Sequence, residues 1–174
     1  MEKEINEIIE EIRSCLAYIG KNNFEEIEKI LKESKKVFIA GTGRSGLIGK
    51  MFAMRLRQIG YESYVVGETI TPPAGKGDII IFISHSGERI SHIEIAKRAK
   101  KEGVKVLLIS SKGKKKLSEI SDFNFEIPVK KSVQPGNSLF EQCVFIFLES
   151  FILYIKKKEK ISEESFRKRH TNLE

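Results

Sequence analysis

The sequence predicts an α/β fold built on a parallel sheet with helices on both faces, and three observations carry that reading. Five short apolar runs alternate with helical patterns and are joined by short links, the arrangement of parallel strands with crossover helices. Two of the runs stop abruptly at glycine and hydroxyl residues that open a helix, at residues 41–46 and 84–87. No internal repeat or low-complexity linker interrupts the 174 residues, a length that one domain with a full core accommodates.

Ile5, Ile8, Ile9, Ile12, Leu16 and Ile19 recur at helical spacing and predict a first amphipathic helix to about Gly20. Phe24, Ile27, Ile30 and Leu31 mark a second helix ending near Ser34. Residues 37–40 form the first strand, and a helix is expected over about 47–59, stopped by Gly60. A second strand covers 61–66, and a loop with Pro72 and Pro73 leads to the third strand and its helix, which ends near Glu102. Gly103 breaks that helix before a fourth strand at 104–109, a short helix at 114–120 and a fifth strand at 123–127. Pro135-Gly136-Asn137-Ser138 introduces the most apolar helix, about 139–157, and 158–174 reads as a polar tail. The domain division is therefore helices at 1–35, an α/β core at 36–157 and the tail. The 139–157 helix is apolar on nearly every face, so it is expected to be buried all round, partly in an oligomer interface.

Apolar residues make up 40% of the chain and charged residues 32%, the balance of a soluble globular protein. Residues 1–11 are acidic and helical in pattern rather than a basic, apolar leader. The apolar stretch 143–155, interrupted by Glu149 and Ser150, reads as too short to span a bilayer. Cys15 and Cys143 lie in apolar patterns without a CxxC, so they read as buried thiols of a cytoplasmic protein. The net charge of +7 invites a nucleic-acid reading, but the excess is local, at 112–116, 156–160 and 167–169, and no aromatic residues are interleaved with it. Those charges read as solvated helix ends and loops on a surface that would also attract an anionic metabolite. Neither nucleic acid nor membrane is an expected partner. Richness in Lys, Glu and Ile without Trp follows the trend of heat-adapted proteins.

The chemistry concentrates where strands meet helices. Ile80-Ile81-Phe82-Ile83 runs into Ser84-His85-Ser86-Gly87 and then a helical pattern. Hydroxyls, unpaired N–H groups and the positive end of a helix dipole together favour a phosphate. Two serines capping a helix would look the same, and taken alone the readings stand even. Gly41-Thr42-Gly43-Arg44-Ser45-Gly46 matches GxGxxG between a strand and a helix, with Glu68 near the end of the second strand. That is a dinucleotide-binding pattern, and equally what a sugar-phosphate site at strand ends would present. The second hydroxyl-rich strand end and the lack of room for a separate substrate domain favour the sugar phosphate.

Gly43-Arg44-Ser45-Gly46 after the first strand and Ser84-x-Ser86-Gly87 after the third resemble a sugar isomerase (SIS) domain. The likeness is closer still to the phosphohexulose isomerase branch of that family. It extends over Ala53-Met54-Arg55-Leu56, Gly67-Glu68-Thr69, Thr71-Pro72, Pro135-Gly136-x-x-x-Phe140-Glu141 and the tail Lys168-Arg169-His170-x-Asn172-Leu173. The resemblance implies a three-layer α-β-α sandwich with a five-stranded parallel sheet, flavodoxin-like, assembled as a homotetramer. It implies conversion of D-arabino-hex-3-ulose 6-phosphate to fructose 6-phosphate through a cis-enediol, as part of formaldehyde fixation in the ribulose monophosphate pathway or its reverse. No cofactor and no metal are expected, and a hexulose-phosphate synthase is the implied functional partner. The other readings are a non-catalytic SIS sensor of a sugar phosphate and an isomerase of another sugar phosphate.

Residue by residue, the resemblance places Gly43, Arg44 and Ser45, with Ser84, His85, Ser86, Gly87, Glu88 and Arg89, at the phosphate and sugar hydroxyls. Many SIS loops carry threonine or serine where this chain has Arg89, which either binds phosphate directly or points to solvent. His85 either donates a proton or bonds to backbone. Glu141 is the carboxylate nominated as base, against the alternative of a first-turn glutamate complementing the helix dipole. Glu149 is its rival further along the helix. His170 resembles the tail histidine that in SIS isomerases reaches a neighbouring subunit's site and helps open the furanose ring. His92 is expected to be structural, and Glu68 and Arg44 to shape the sugar pocket.

Overall fold

The computed structural model describes residues 1–20 and 22–173; Glu174, the last residue of the tail, lies outside them. The order is α1 (Glu2–Leu16), α2 (Asn23–Lys32), β1 (Val37–Gly41), α3 (Gly43–Gln58), β2 (Ser63–Val65), β3 (Ile79–Ile83), α4 (Ile90–Lys101), β4 (Lys105–Ser111), α5 (Lys116–Ile120) and β5 (Phe123–Ile127). A 3₁₀ turn at Pro135–Asn137, α6 (Ser138–Lys158) and α7 (Glu163–Lys168) complete the chain. The five strands form one wholly parallel sheet in the order β2-β1-β3-β4-β5. The order reverses between β1 and β3, whose last residues, Gly41 and Ile83, stand in register. Such a switch point opens a crevice at the carboxyl ends of two adjacent strands, where α/β proteins bind ligands.

Alternation along each strand divides the core in two. Val37, Ile39, Ile79, Ile81, Ile83, Leu107 and Ile109 face the layer formed by α1, α2, α3 and α6. Phe38, Ala40, Ile80, Phe82, Val106 and Leu108 face the other layer, where Ala96 of α4 and Leu117 of α5 meet them. The first layer is held by α6, which buries Leu139, Phe140, Cys143, Val144, Phe147, Leu148, Phe151, Ile152 and Ile155. Phe24 of α2 closes on it, with ring centroids 5.3, 5.9 and 5.6 Å from Phe147, Phe151 and Tyr154. Truncating a phenylalanine packed like Phe151 to alanine would cost about 3–5 kcal/mol.

At the far end of α6, Glu28 of α2 is buried yet satisfied: Lys32 reaches one of its oxygens at 2.8 Å, and Lys158 and Tyr154 reach the other at 2.6 and 3.1 Å. A buried carboxylate needs such partners, since desolvation alone would expel it.

Three expectations are corrected. Residues 43–46 are not a loop before α3 but its first turn, with Thr42 extended as the cap residue. Close packing of the turn on the strand overrides its weak helix formers: a Cβ on Gly46 would lie 2.8 Å from the Gly41 carbonyl oxygen. The tail is not simply polar. Ser162 caps α7 by accepting from the Ser165 N–H at 3.1 Å, and Phe166 lies under the Arg55 guanidinium and the Lys156 ammonium, 5.8 and 5.4 Å from its ring centroid. Finally, α6 is long and apolar enough to cross a membrane by length and composition. Half of that stretch is buried within its own chain, while Leu153 stays 50% exposed, so α6 is not enclosed all round by a single chain.

Candidate active site

The crevice between β1 and β3 collects most of the residues singled out in the sequence. Ser45, buried in the first turn of α3, donates its hydroxyl to Glu141 Oε1 at 3.0 Å. Arg44 donates to Glu141 Oε2 at 3.1 Å and also to the Gly136 carbonyl. Glu141 sits in the first turn of α6 with its side chain only 13% exposed, whereas the Arg44 side chain is 55% exposed. Gly136 has φ 60° and no side chain, which lets the guanidinium come close: a Cβ there would lie 3.3 Å from Arg44 Nη1. A carboxylate mostly withdrawn from water and held by one hydroxyl and one guanidinium is fixed in position while keeping lone pairs for a proton.

The β3–α4 turn forms the other wall. Ser84 Oγ accepts from the Gly87 N–H at 3.2 Å, and Ser86 Oγ accepts from the Glu88 N–H at 3.3 Å. Both hydroxyls act as acceptors there, so their own hydrogens are available to a ligand. Gly87 is buried with φ 61°, a left-handed turn that glycine takes without strain. Arg89 is the extended cap residue of α4 and is exposed at its N-terminus. Glu88 turns away, accepting from the Lys116 N–H at 2.9 Å and pairing with its ammonium at 3.1 Å. His85 stands edge-on to Phe140, centroids 5.0 Å apart, and so joins this wall to the start of α6. Burial holds its pKa below the ordinary histidine value; the Glu141 carboxylate opposes that shift and the Lys115 ammonium adds to it.

Four other candidates lie elsewhere. Glu149 pairs with Arg55 at 3.1 Å, eight residues and therefore about 12 Å along α6 from Glu141. Glu68 pairs with Lys50 at 2.6 Å on an exposed part of α3. His92 is buried on Phe82, centroids 5.5 Å apart, and its Nδ1 has no hydrogen-bond partner among the described residues. His170 follows Arg169, which donates to the Gln58 carbonyl at 3.3 Å, at the C-terminal end of α3. Thirteen residues of α3, about 20 Å, separate that end from Ser45. A single chain does not bring His170 to Glu141.

One residue of this neighbourhood has no sequence signal. Glu11 of α1 accepts from Ser132 Oγ at 2.7 Å, the Val133 N–H at 2.9 Å and Gln134 Nε2 at 3.0 Å, holding the segment that enters the Pro135–Asn137 turn. Those bonds, from Ser132 first, keep its carboxyl below the usual range. In the sequence it is one acid among many in an acidic helix, with partners more than 120 residues away.

A model of the SIS domain matches residues 30–148, which include both walls and Glu141. The chain belongs to the SIS domain family. It is similar to the curated 3-hexulose-6-phosphate isomerase of Bacillus subtilis, with 34% identity over 179 residues, 98% of this chain and 97% of that protein. It is 42% identical over 148 residues to the 3-hexulose-6-phosphate isomerase of Methanocaldococcus jannaschii, covering 84% of this chain and 81% of that one. A crystal structure of a Methanococcus jannaschii protein, for which a 3-hexulose-6-phosphate isomerase function was inferred, superposes with a TM-score of 0.88 at 35% identity over 99% of both chains.

Proposed function

We propose that this SIS protein is an isomerase that interconverts D-arabino-hex-3-ulose 6-phosphate and D-fructose 6-phosphate. The observation that carries the reading is the Glu141 carboxylate, held by Ser45 and Arg44 across the crevice from the Ser84–Ser86 hydroxyls. The names and coverage of the relatives support the substrate. Moving a carbonyl from C3 to C2 requires one base on one face of the sugar. Glu141 takes the proton from C2, the C3 carbonyl becomes an enediolate, and a proton passes between O2 and O3. Glu141 then returns its proton to C3, leaving the carbonyl at C2. Arg44, still largely solvent-facing, balances the enediolate charge. The β3–α4 turn anchors the phosphate, which keeps the reacting carbons over the carboxylate.

The tail histidine enters this scheme only from a second copy, because its own chain carries it to the far end of α3. Exposed Leu47, Met51 and Met54 on α3 and Leu153 on α6 supply apolar surface for association, in keeping with a homotetramer. On this reading a hexulose-phosphate synthase is the functional partner, and the pair serves formaldehyde fixation or its reverse. The test is a coupled assay in which ribulose 5-phosphate, formaldehyde and a separate synthase generate the 3-hexulose phosphate. Fructose 6-phosphate should form only when this protein is added. Sugar-phosphate binding without turnover would instead identify a sensor or an isomerase of another substrate.

A further inference from the structure

The lysines at 112–116 read from sequence as one solvated run, but their surroundings differ. Lys114 pairs with Glu119 at 2.9 Å and Lys116 with Glu88 at 3.1 Å, both through exposed side chains. Lys115 is the half-buried member of the run, and among the described residues no carboxylate lies within 4 Å of its ammonium. Its stem lies across Gly87. A Cβ on that glycine would sit 2.7 Å from Lys115 Cδ and 2.9 Å from Lys115 Cβ. Glycine at 87 therefore serves the left-handed turn and also makes room for this side chain.

The backbone around Lys115 is strapped to the same turn. The Leu117 N–H donates to the Gly87 carbonyl at 3.0 Å, and Ser111 Oγ donates to the His85 carbonyl at 2.9 Å. The Lys115 N–H is itself fixed by Ser118 Oγ at 3.0 Å. The charge is felt locally, because Lys115 contributes to holding both His85 and Glu88 below their ordinary pKa values. Two hydroxyls and backbone N–H groups are neutral donors, whereas a phosphate monoester brings up to two negative charges. Lys116 is occupied by Glu88. Among the described residues neither Lys115 nor Arg89 has a carboxylate partner, and of these two it is the Lys115 stem that is laid on Gly87; an ammonium with three rotatable donors suits a phosphoryl group held from several sides.

We infer that Lys115 is a substrate-binding residue, its ammonium contacting the phosphoryl group seated on the Ser84–Gly87 turn. The inference rests on the proposed sugar-phosphate chemistry of the site, and its test separates the two. Lys115→Met keeps an apolar stem over Gly87 and removes only the charge; Lys115→Arg keeps the charge. The full-length proteins are titrated calorimetrically with inorganic phosphate and with fructose 6-phosphate, at low and high salt, and assayed for turnover. Lys115→Met should bind both ligands about ten- to a hundredfold more weakly, as loss of one charge-assisted contact implies. It should raise KM with kcat nearly unchanged, lose much of the salt dependence and keep the wild-type melting temperature. Lys115→Arg should recover affinity to within a few-fold. If Lys115→Met unfolds, Lys115→Gln, which also retains a stem, takes its place. Unaltered affinity in a folded charge-removing variant would overturn the assignment. Lys115-dependent binding in a wild-type protein that turns over no 3-hexulose phosphate would overturn the proposed reaction and leave the phosphate contact standing.

Discussion

The β1–α3 and β3–α4 turns leave adjacent strands at the same edge of the sheet, and both deliver serine and glycine to the start of a helix. They differ in what their donors face. In the first turn, Ser45 and Arg44 are directed onto Glu141, a carboxylate of the protein itself. In the second, Ser84 and Ser86 accept from their own backbone and keep their hydroxyl hydrogens for something outside the chain. The same local device can thus hold an internal anion or receive an external one. What decides between them is which segment the fold brings opposite. The Pro135–Asn137 turn and the start of α6 close over β1–α3, and Glu11 holds the incoming segment there. On the proposed reading, the first turn positions the base and the second positions the substrate.

The largest expected effect tests that division directly. Glu141→Gln should lower kcat by about 10²- to 10⁴-fold, the usual contribution of a positioned base, while fructose 6-phosphate binds within a few-fold of wild type. An unchanged kcat would remove Glu141 from the chemistry and collapse the contrast. The double change Ser84→Ala with Ser86→Ala should do the converse, raising KM about tenfold or more with a smaller change in kcat, as uniform binding energy is lost. A fall confined to kcat would move this turn to the reacting carbons. Arg44→Met releases both Glu141 and the Gly136 carbonyl, and kcat should fall by about tenfold, read in the same steady-state assay.

The smallest effect concerns His85 and acid. Its folded pKa is depressed by burial, so the folded state holds fewer protons than the unfolded one. Its stabilising contribution is complete above the unfolded value of about 6.5 and is lost as pH falls through the lower folded value. Urea midpoints measured from pH 7.5 down to pH 5 should therefore decline less in His85→Gln than in wild type. Parallel declines would mean that His85 titrates as a solvated histidine and does not link the two walls.

Much of this was readable from local pattern. The apolar runs at β1 and β3 and the glycine and serine residues ending them are contiguous signals, and they landed at the switch point. The proline and glycine at 135–136 mark the entry to α6, while Glu141 is nominated by the resemblance. The rest depended on long-range contacts. Glu11 acts on Ser132 across 121 positions, and no local pattern foretells that. Local pattern starts α3 only near residue 47, whereas the helix begins at Gly43, and the close packing of Gly46 on Gly41 is a contact that no local pattern shows. The tail was read by composition as polar, although Ser162 is a helix cap and Phe166 is an anchor for Arg55 and Lys156. The resemblance implies that His170 serves a neighbouring subunit's site, and within its own chain it lies at the C-terminal end of α3, away from Glu141.

The buried Glu28 cluster has a consequence for heat. Two of its three partners, Tyr154 and Lys158, join α2 to the end of α6, at the opposite end of that helix from Glu141. The hydration lost by charged groups on burial becomes less costly as temperature rises, so such a cluster gains on purely apolar contacts during warming. The α2–α6 seam should therefore be among the last parts of the chain to loosen on warming.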